Sequence, residues 1–314
     1  MTNLALRQEG DEQERRRLGD RLREARKYLG LKQEEVAAYL KIPRTALTDI
    51  ENGQRRVEAI ELTRLARLYR QSVAYFTGEG TMAAGRLHRE LDTRALIETQ
   101  GGSVDVFGAI HAVGLPLLLR PLKGLLGAYL SAPAPGVLVT TERPMSIQRF
   151  TAAHELGHFS MRHEPSLDDE SILRRMPMSP EPGNNFEETE ADAFAIAFMM
   201  PKWLVLAHSA RQGWQIDHFR RPNVVYQLSL RIGASYEATC RTLVRYNLIS
   251  PSVMTDLLRT QPRSLKVDLL KDYRPDNYRG DVWLLTERDA GSRIDGSRND
   301  LFVLQLEEHS GGGY

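Results

Sequence analysis

Apolar residues recur at helical spacing through the first eighty positions of the chain. Leu18, Leu22, Ala25 and Leu29 mark one helix, Val36, Ala37 and Leu40 a second, and Leu47 and Ile50 a third, opened by Pro43 and stopped at Asn52 and Gly53. A fourth runs through Ile60, Leu65, Ala66 and Tyr69, and "SVAYF" closes the set near Gly78 and Gly80. This places an all-α domain at residues 17–80. Residues 1–16 are polar and read as a disordered N-terminal arm. Residues 81–100, with "RLHRELDTRALIET", read as a polar linker of helical character that ends at Gly101 and Gly102.

The pattern then changes. A helix-like "VDVFGAIHAVG" precedes the apolar, strand-like runs "LPLLLRP", "LLGAYL" and "GVLVTT". Helical segments follow at residues 146–160 and 186–200, with a pair inside 222–262. Helix, strands, then helices predict an α+β domain over 101–262. In the last segment, 263–314, "DVWLLTE" and "LFVLQLEE" read as strands around the turn-rich "RDAGSRIDGSRND", giving a short β-rich tail.

Composition bounds this picture without deciding it. The 314 residues suffice for two or three domains, and the net charge of +1 carries no general attraction to nucleic acid. Local charge does: "RRRLGDRLREARKYLGLK" holds eight Lys or Arg against two acids, which suits either a solvated helix face or phosphate binding. The single cysteine, Cys240, excludes an intrachain disulfide and reads as a core residue. The first residues lack the apolar run of a signal peptide, and the best membrane candidate, "AFAIAFMM", is stopped by Pro201 and Lys202. A cytoplasmic protein without a membrane partner is expected.

The second and third helices, joined across "KIP" with small Ala37 in the second, suit a helix-turn-helix, although a plain helical bundle has the same pattern. "LKQEEVAAYLKIPRTALTDIENG" resembles the helix-turn-helix of the lambda and 434 repressor type, the XRE family. The resemblance covers about sixty residues and is specific at Gln33, Glu51, Asn52 and Gly53. It implies that the third helix enters the major groove, with Arg44, Thr45 and Asp49 at the base-reading positions and Gln33, Asn52, Arg55 and Arg56 on phosphates. A single module offers little affinity, so a homodimer on a two-fold, double-stranded DNA operator is expected.

"FTAAHELGH" raises a different chemistry. His154 and His158 are four apart, hence on one helix face and close enough for two imidazoles to share a tetrahedral metal, with Glu155 beside them. A catalytic zinc needs a third protein ligand. Met161 and Glu164 stand where HExxHxxGxxH requires glycine and histidine, so a third histidine of that kind is excluded, and His163 is out of register. A carboxylate from "EETEADAFAIAFMMP" is the alternative. Glu188 and Asp192 lie one turn apart, with small Ala191 and Ala195 permitting close helix approach, so Glu188 is the expected ligand, Asp192 the group behind a ligating histidine, and Glu190 the fallback ligand.

"RFTAAHELGH" followed by "EETEADAFAIAFMMP" also resembles the ImmA/IrrE metallopeptidases, whose pattern Glu188, Ala191, Asp192, Phe194, Ala195, Met200 and Pro201 match. The resemblance covers roughly 101–262, including "LSLRIGASYEATCRTLVRYNLIS" as the closing helix pair. It implies a gluzincin-like metallopeptidase domain with one catalytic zinc ion, manganese being the alternative. Glu155 would be the general base, and the substrate a helix-turn-helix repressor cleaved in a stress or mobile-element response. His163, His208, Tyr226 and Tyr236 are candidates for the oxyanion donor, and "GVLVTT" is expected to be an edge strand that pairs with substrate. The rival reading is a transcription regulator whose peptidase-like domain is a non-catalytic sensory or dimerisation domain. Intact Glu155 argues against it, because a structural zinc has no use for a base. The tail faintly resembles the first strands of chagasin-like inhibitor domains, and is expected either to be truncated or to close on the peptidase.

Overall fold

The structure is a computed structural model that describes residues 3–168 and 186–306. The N-terminal region is all helical: α1 (Asn3–Tyr28), α2 (Gln33–Leu40), α3 (Arg44–Glu51), α4 (Ala59–Tyr69) and α5 (Val73–Thr77). The apolar positions read from the sequence form one core, in which Leu22, Val36, Leu47, Ile50, Leu65, Tyr69 and Phe76 are buried. An ion pair orients three of these helices inside it. Arg26 of α1 grips the Glu51 carboxylate at 2.6 and 2.9 Å, and Gln33 of α2 adds a third bond at 3.0 Å. Residues 3–16, expected as a disordered arm, instead continue α1 toward the N-terminus. Its charged surface hid a helix that lacks an apolar stripe at that end.

Residues 81–100 are not a linker. They form most of α6 (Glu79–Glu90) and all of α7 (Thr93–Gln100), and Gly78, with φ 81°, is at once the C-cap of α5 and the N-cap of α6. Gly80, Ala83, Ala84, Leu87 and His88 make a buried stripe at helical spacing, and Ala83, Ala84, Leu87 and Ile97 join the core of the following domain.

That domain runs α8 (Val106–Ala112), β1 (Leu117–Arg120), β2 (Gly127–Leu130), β3 (Gly136–Thr140), α9 (Met145–Met161), β4 (Ser166–Asp168) and α10 (Phe186–Met199). It continues as α11 (Lys202–Gln212), α12 (Pro222–Ile232), α13 (Tyr236–Arg245), α14 (Pro251–Leu258) and α15 (Pro262–Leu270). Among the described residues the strands form one sheet in the order β1-β3-β2-β4, with β1 parallel to β3 and β2 antiparallel to both its neighbours. β3, the "GVLVTT" run, is therefore internal, and the expectation of an edge strand there is corrected: both of its hydrogen-bonding sides are taken. The apolar stretch Phe186–Gln212 is long and apolar enough to cross a membrane, but it is the pair α10 and α11, interrupted at Pro201, with Phe194, Ala195, Phe198 and Leu204 in the core. Cys240 is buried.

The C-terminal segment opens with most of α15, and among the described residues the two runs read as strands are strands, β5 (Val282–Leu285) and β6 (Leu301–Leu304), which pair in parallel. The segment closes on the preceding domain. Gln227 of α12 donates to Val282 O and accepts from Leu284 N, each at 2.8 Å, while buried Arg231 reaches Leu284 O and Asp289. Asp295 accepts from the backbone and hydroxyl of Ser103 at 2.9 and 2.8 Å. The end of the predicted last strand, Glu307 and Glu308, lies outside the described residues.

The α6 contact is tight enough to test. A Cβ at Gly80 would stand 2.7 Å from Glu190 O of α10, a backbone atom that cannot swing aside. Gly80→Ala, which in an open helix would gain about 1 kcal/mol, is expected here to lose stability, since forced overpacking costs roughly 1–3 kcal/mol. A lowered midpoint of urea unfolding checks it.

Candidate metal centre

α9 and α10 lie against each other because small residues line their contact. A Cβ at Gly157 would stand 3.2 Å from Ala191 Cα and 3.1 Å from a ring carbon of Phe194, so a larger residue would push α10 away. At this separation Glu188 reaches the two histidines. His154 Nε2 stands 3.2 Å from Glu188 Oε2 and 2.9 Å from His158 Nε2, and His158 Nε2 stands 3.7 Å from Glu188 Oε1. Ligand atoms at about 2.0–2.1 Å from a tetrahedral ion stand roughly 3.3 Å apart. The three observed separations bracket that value.

The proton positions favour the same conclusion. His154 Nδ1 lies 2.8 Å from Asp192 Oδ1, and a carboxylate only accepts, so Nδ1 donates there and in the neutral ring Nε2 carries the lone pair. That lone pair faces a carboxylate oxygen and a second imidazole nitrogen. Acceptors converging in this way fit a cation between them. Burial pushes His158 below the usual histidine range, which presents it as a neutral ring. Burial alone would raise the Glu188 carboxyl, but hydrogen bonds and positive charge from protonated imidazoles in the metal-free cluster outweigh burial and hold it well below the usual carboxylate range, so an ion would take the place of those protons. Neutral imidazole and charged carboxylate are the forms a metal takes. The donor set, two nitrogens and one oxygen, suits zinc.

Glu155 is fully buried next to the cluster and is not among its three ligand atoms. It faces β2, where a Cβ on Gly127 would come within 2.9 Å of Glu155 Oε1 and 2.3 Å of Thr151 Cγ2. Gly127 was not singled out from the sequence, although a glycine inside a strand run is itself a sign of close approach. The fallback ligand Glu190 points away from the cluster, to His163 at 3.3 Å and to Ser72. His163 lies behind His158, their Nδ1 atoms 3.1 Å apart. The other three oxyanion candidates are engaged elsewhere: His208 with Gly102 O, Tyr226 with Asp281, and Tyr236 with Leu257 O.

In the N-terminal domain Arg44 and Thr45 open α3 and are exposed, Arg44 within 3.0 Å of Glu34, while Asp49 is half-buried on the same helix. The four expected phosphate contacts divide. Arg56 is exposed, 3.9 Å from Asp11. Arg55 closes a two-point pair with Glu61 at 2.8 and 3.0 Å, the Asn52 side chain accepts from Arg23, and Gln33 is turned to Glu51. These three side chains have structural partners in the free protein, which sequence spacing alone does not reveal.

Comparison with known families agrees with both halves. Residues 22–76 match the helix-turn-helix family model, and residues 119–244 match the IrrE N-terminal-like domain, a peptidase family. No curated protein matches the chain.

If Asp192 orients His154 as the geometry indicates, Asp192→Ala is expected to weaken zinc affinity by about 10- to 100-fold. Competition with a chromophoric chelator measures it.

Proposed function

From a DNA-binding helix-turn-helix domain fused to an IrrE-like peptidase domain, we propose that this protein is a DNA-bound regulator whose second domain is a zinc-dependent endopeptidase. The observation that carries the reading is the convergence of His154, His158 and Glu188 with Glu155 buried beside them and outside the ligand set. A site built only to hold a metal for structure has no need of a carboxylate in that place.

His154 and His158 would hold the metal through Nε2 and Glu188 through its carboxylate, while Asp192 accepts the Nδ1 proton of His154 and so leaves Nε2 for the ion. The chemistry supplied when zinc is bound is acidification of a water and polarisation of the scissile carbonyl. Glu155 accepts the proton of the attacking water and passes it to the amine as the C–N bond breaks, so the products are a carboxylate and an amine. Glu155 is fully buried beside Gly127 of β2 and Thr151 one turn back on α9, which keeps bulk water from that side of the carboxylate.

The substrate class proposed is a repressor of the helix-turn-helix type, cut in a stress or mobile-element response in the cytoplasm. The N-terminal domain brings the peptidase to operator DNA where such repressors sit, and binds there as a homodimer. Arg44, at the exposed start of α3, is placed to read a guanine edge in the major groove.

Two measurements test this. With zinc present, wild-type protein is expected to cleave candidate repressors, and Glu155→Gln to bind zinc but leave the repressor whole. Cleavage by both, or by neither, overturns the enzyme reading. Arg44→Ala is expected to lose about 1–3 kcal/mol of discrimination at one base pair. A uniform loss across operator variants would place Arg44 on phosphate instead.

A further inference from the structure

Asp192 holds one ligand histidine from behind, and the other has a longer support. α9 ends at Arg162, whose left-handed conformation (φ 60°) turns the chain back on the helix, so that His163 N–H donates to His158 O at 2.9 Å. The same turn lays the His163 ring beside that of His158, with ring centroids 5.1 Å apart. His163 Nδ1 is 3.1 Å from His158 Nδ1, and its Nε2 is 3.3 Å from Glu190 Oε2. The other oxygen of Glu190 accepts from the hydroxyl of Ser72, and Ser72 Oγ accepts from Tyr75 N–H at 2.8 Å as the N-cap of α5. The side chains of His163 and Glu190 are 7% and 11% exposed.

One assignment of donors and acceptors runs through the whole path. Glu190, as a carboxylate, accepts from Ser72 at one oxygen and lies within 3.3 Å of His163 Nε2 at the other. A neutral His163 that donates from Nε2 has its lone pair on Nδ1. His158 must then donate from Nδ1, and its own lone pair lies on Nε2, the atom facing His154 and Glu188.

We propose that His163 and Glu190 are positioning residues of the metal centre, holding His158 in the tautomer that turns Nε2 to the ion, and that Ser72 of the DNA-binding domain is the last member of the support. The inference rests on reading His154, His158 and Glu188 as metal ligands. The sequence alone set His163 aside because its register is wrong for a ligand. The left-handed turn at Arg162 gives it a place behind a ligand instead.

The test is zinc affinity of the full chain, measured by chelator competition, with thermal unfolding of the metal-free protein in parallel. His163→Phe keeps a flat ring of similar bulk but can neither accept nor donate, and is expected to bind zinc about 10- to 100-fold more weakly. His163→Gln supplies an amide oxygen for His158 and an amide N–H for Glu190, and is expected to recover most of that loss. Ser72→Ala is expected to weaken zinc roughly three- to tenfold, a fraction of the worth of one hydrogen bond to a charged group, since it acts from the far end of the path. Ser72→Thr, which keeps both the cap and the hydroxyl, is expected to match wild type. Wild-type affinity in His163→Phe overturns the proposal. So does His163→Gln as weak as His163→Phe, since that would make the residue mere packing. Ser72→Ala indistinguishable from wild type removes the DNA-binding domain from the support and overturns that part. If wild type itself binds no zinc, the metal-site reading beneath the proposal fails instead, so the two failures are told apart.

Discussion

The close approach of α9 and α10 is the constraint on which the rest of the structure depends. Two histidines one turn apart make a metal site only if a third ligand arrives from outside their helix, and the Glu188 side chain is short. Gly157 and Ala191 at the crossing let the backbones come near enough for it to reach. α10 meets a second glycine on another side, where Gly80 of α6 packs on the carbonyl of Glu190. Each glycine in a helix interior costs roughly 0.5–1 kcal/mol against alanine. That cost is spent on proximity, which no larger residue could supply at either crossing.

Close packing in turn buries chemistry that resists burial. His154, Glu155 and His158 are all fully enclosed, and a polar group removed from water is costly unless another group replaces the water. The structure meets this with partners on neighbouring elements: Asp192 behind His154, and His163 with Glu190 behind His158. The helix-turn-helix domain shows the same arrangement with Arg26, Gln33 and Glu51. A buried pair of that kind adds little net stability, but removing one partner costs about 3–5 kcal/mol because the other is left charged in the core. Its effect is to set where α1, α2 and α3 sit.

What could be read from the sequence was whatever one helix encodes in its own spacing. His154 and His158 share a face, as do Glu188 and Asp192, and the stripes of α2, α3 and α4 are apolar at helical spacing. What could not be read depends on neighbours that the local pattern does not name. Apart from Leu87, the stripe that α6 buries (Gly80, Ala83, Ala84 and His88) is small or polar and looks solvated until α10 is set against it. The interior place of β3 follows from strand order, and alternation along one strand does not encode order. Arg55 and Asn52 look free by position, but Glu61 and Arg23 come to them through the fold.

The absence of a flexible connector bears on how the two domains work together. α5 and α6 share Gly78 as a cap, α6 lies in the core of the second domain, and Ser72 of the first is bonded to Glu190 of the second. Two beads on a string would exchange nothing but local concentration. Here, any turning of the helix-turn-helix domain against α10 has to break the bond between Ser72 and Glu190, and coupling between two sites is reciprocal in binding free energy. Its size is bounded by the bond that carries it. A hydrogen bond to a charged group contributes about 1.5–3 kcal/mol and a neutral one about 0.5–1.5 kcal/mol, and only part of either reaches His158 through two intervening side chains. Roughly tenfold is therefore the scale of coupling that the proposed path would carry between the two domains, too small to act as an absolute switch.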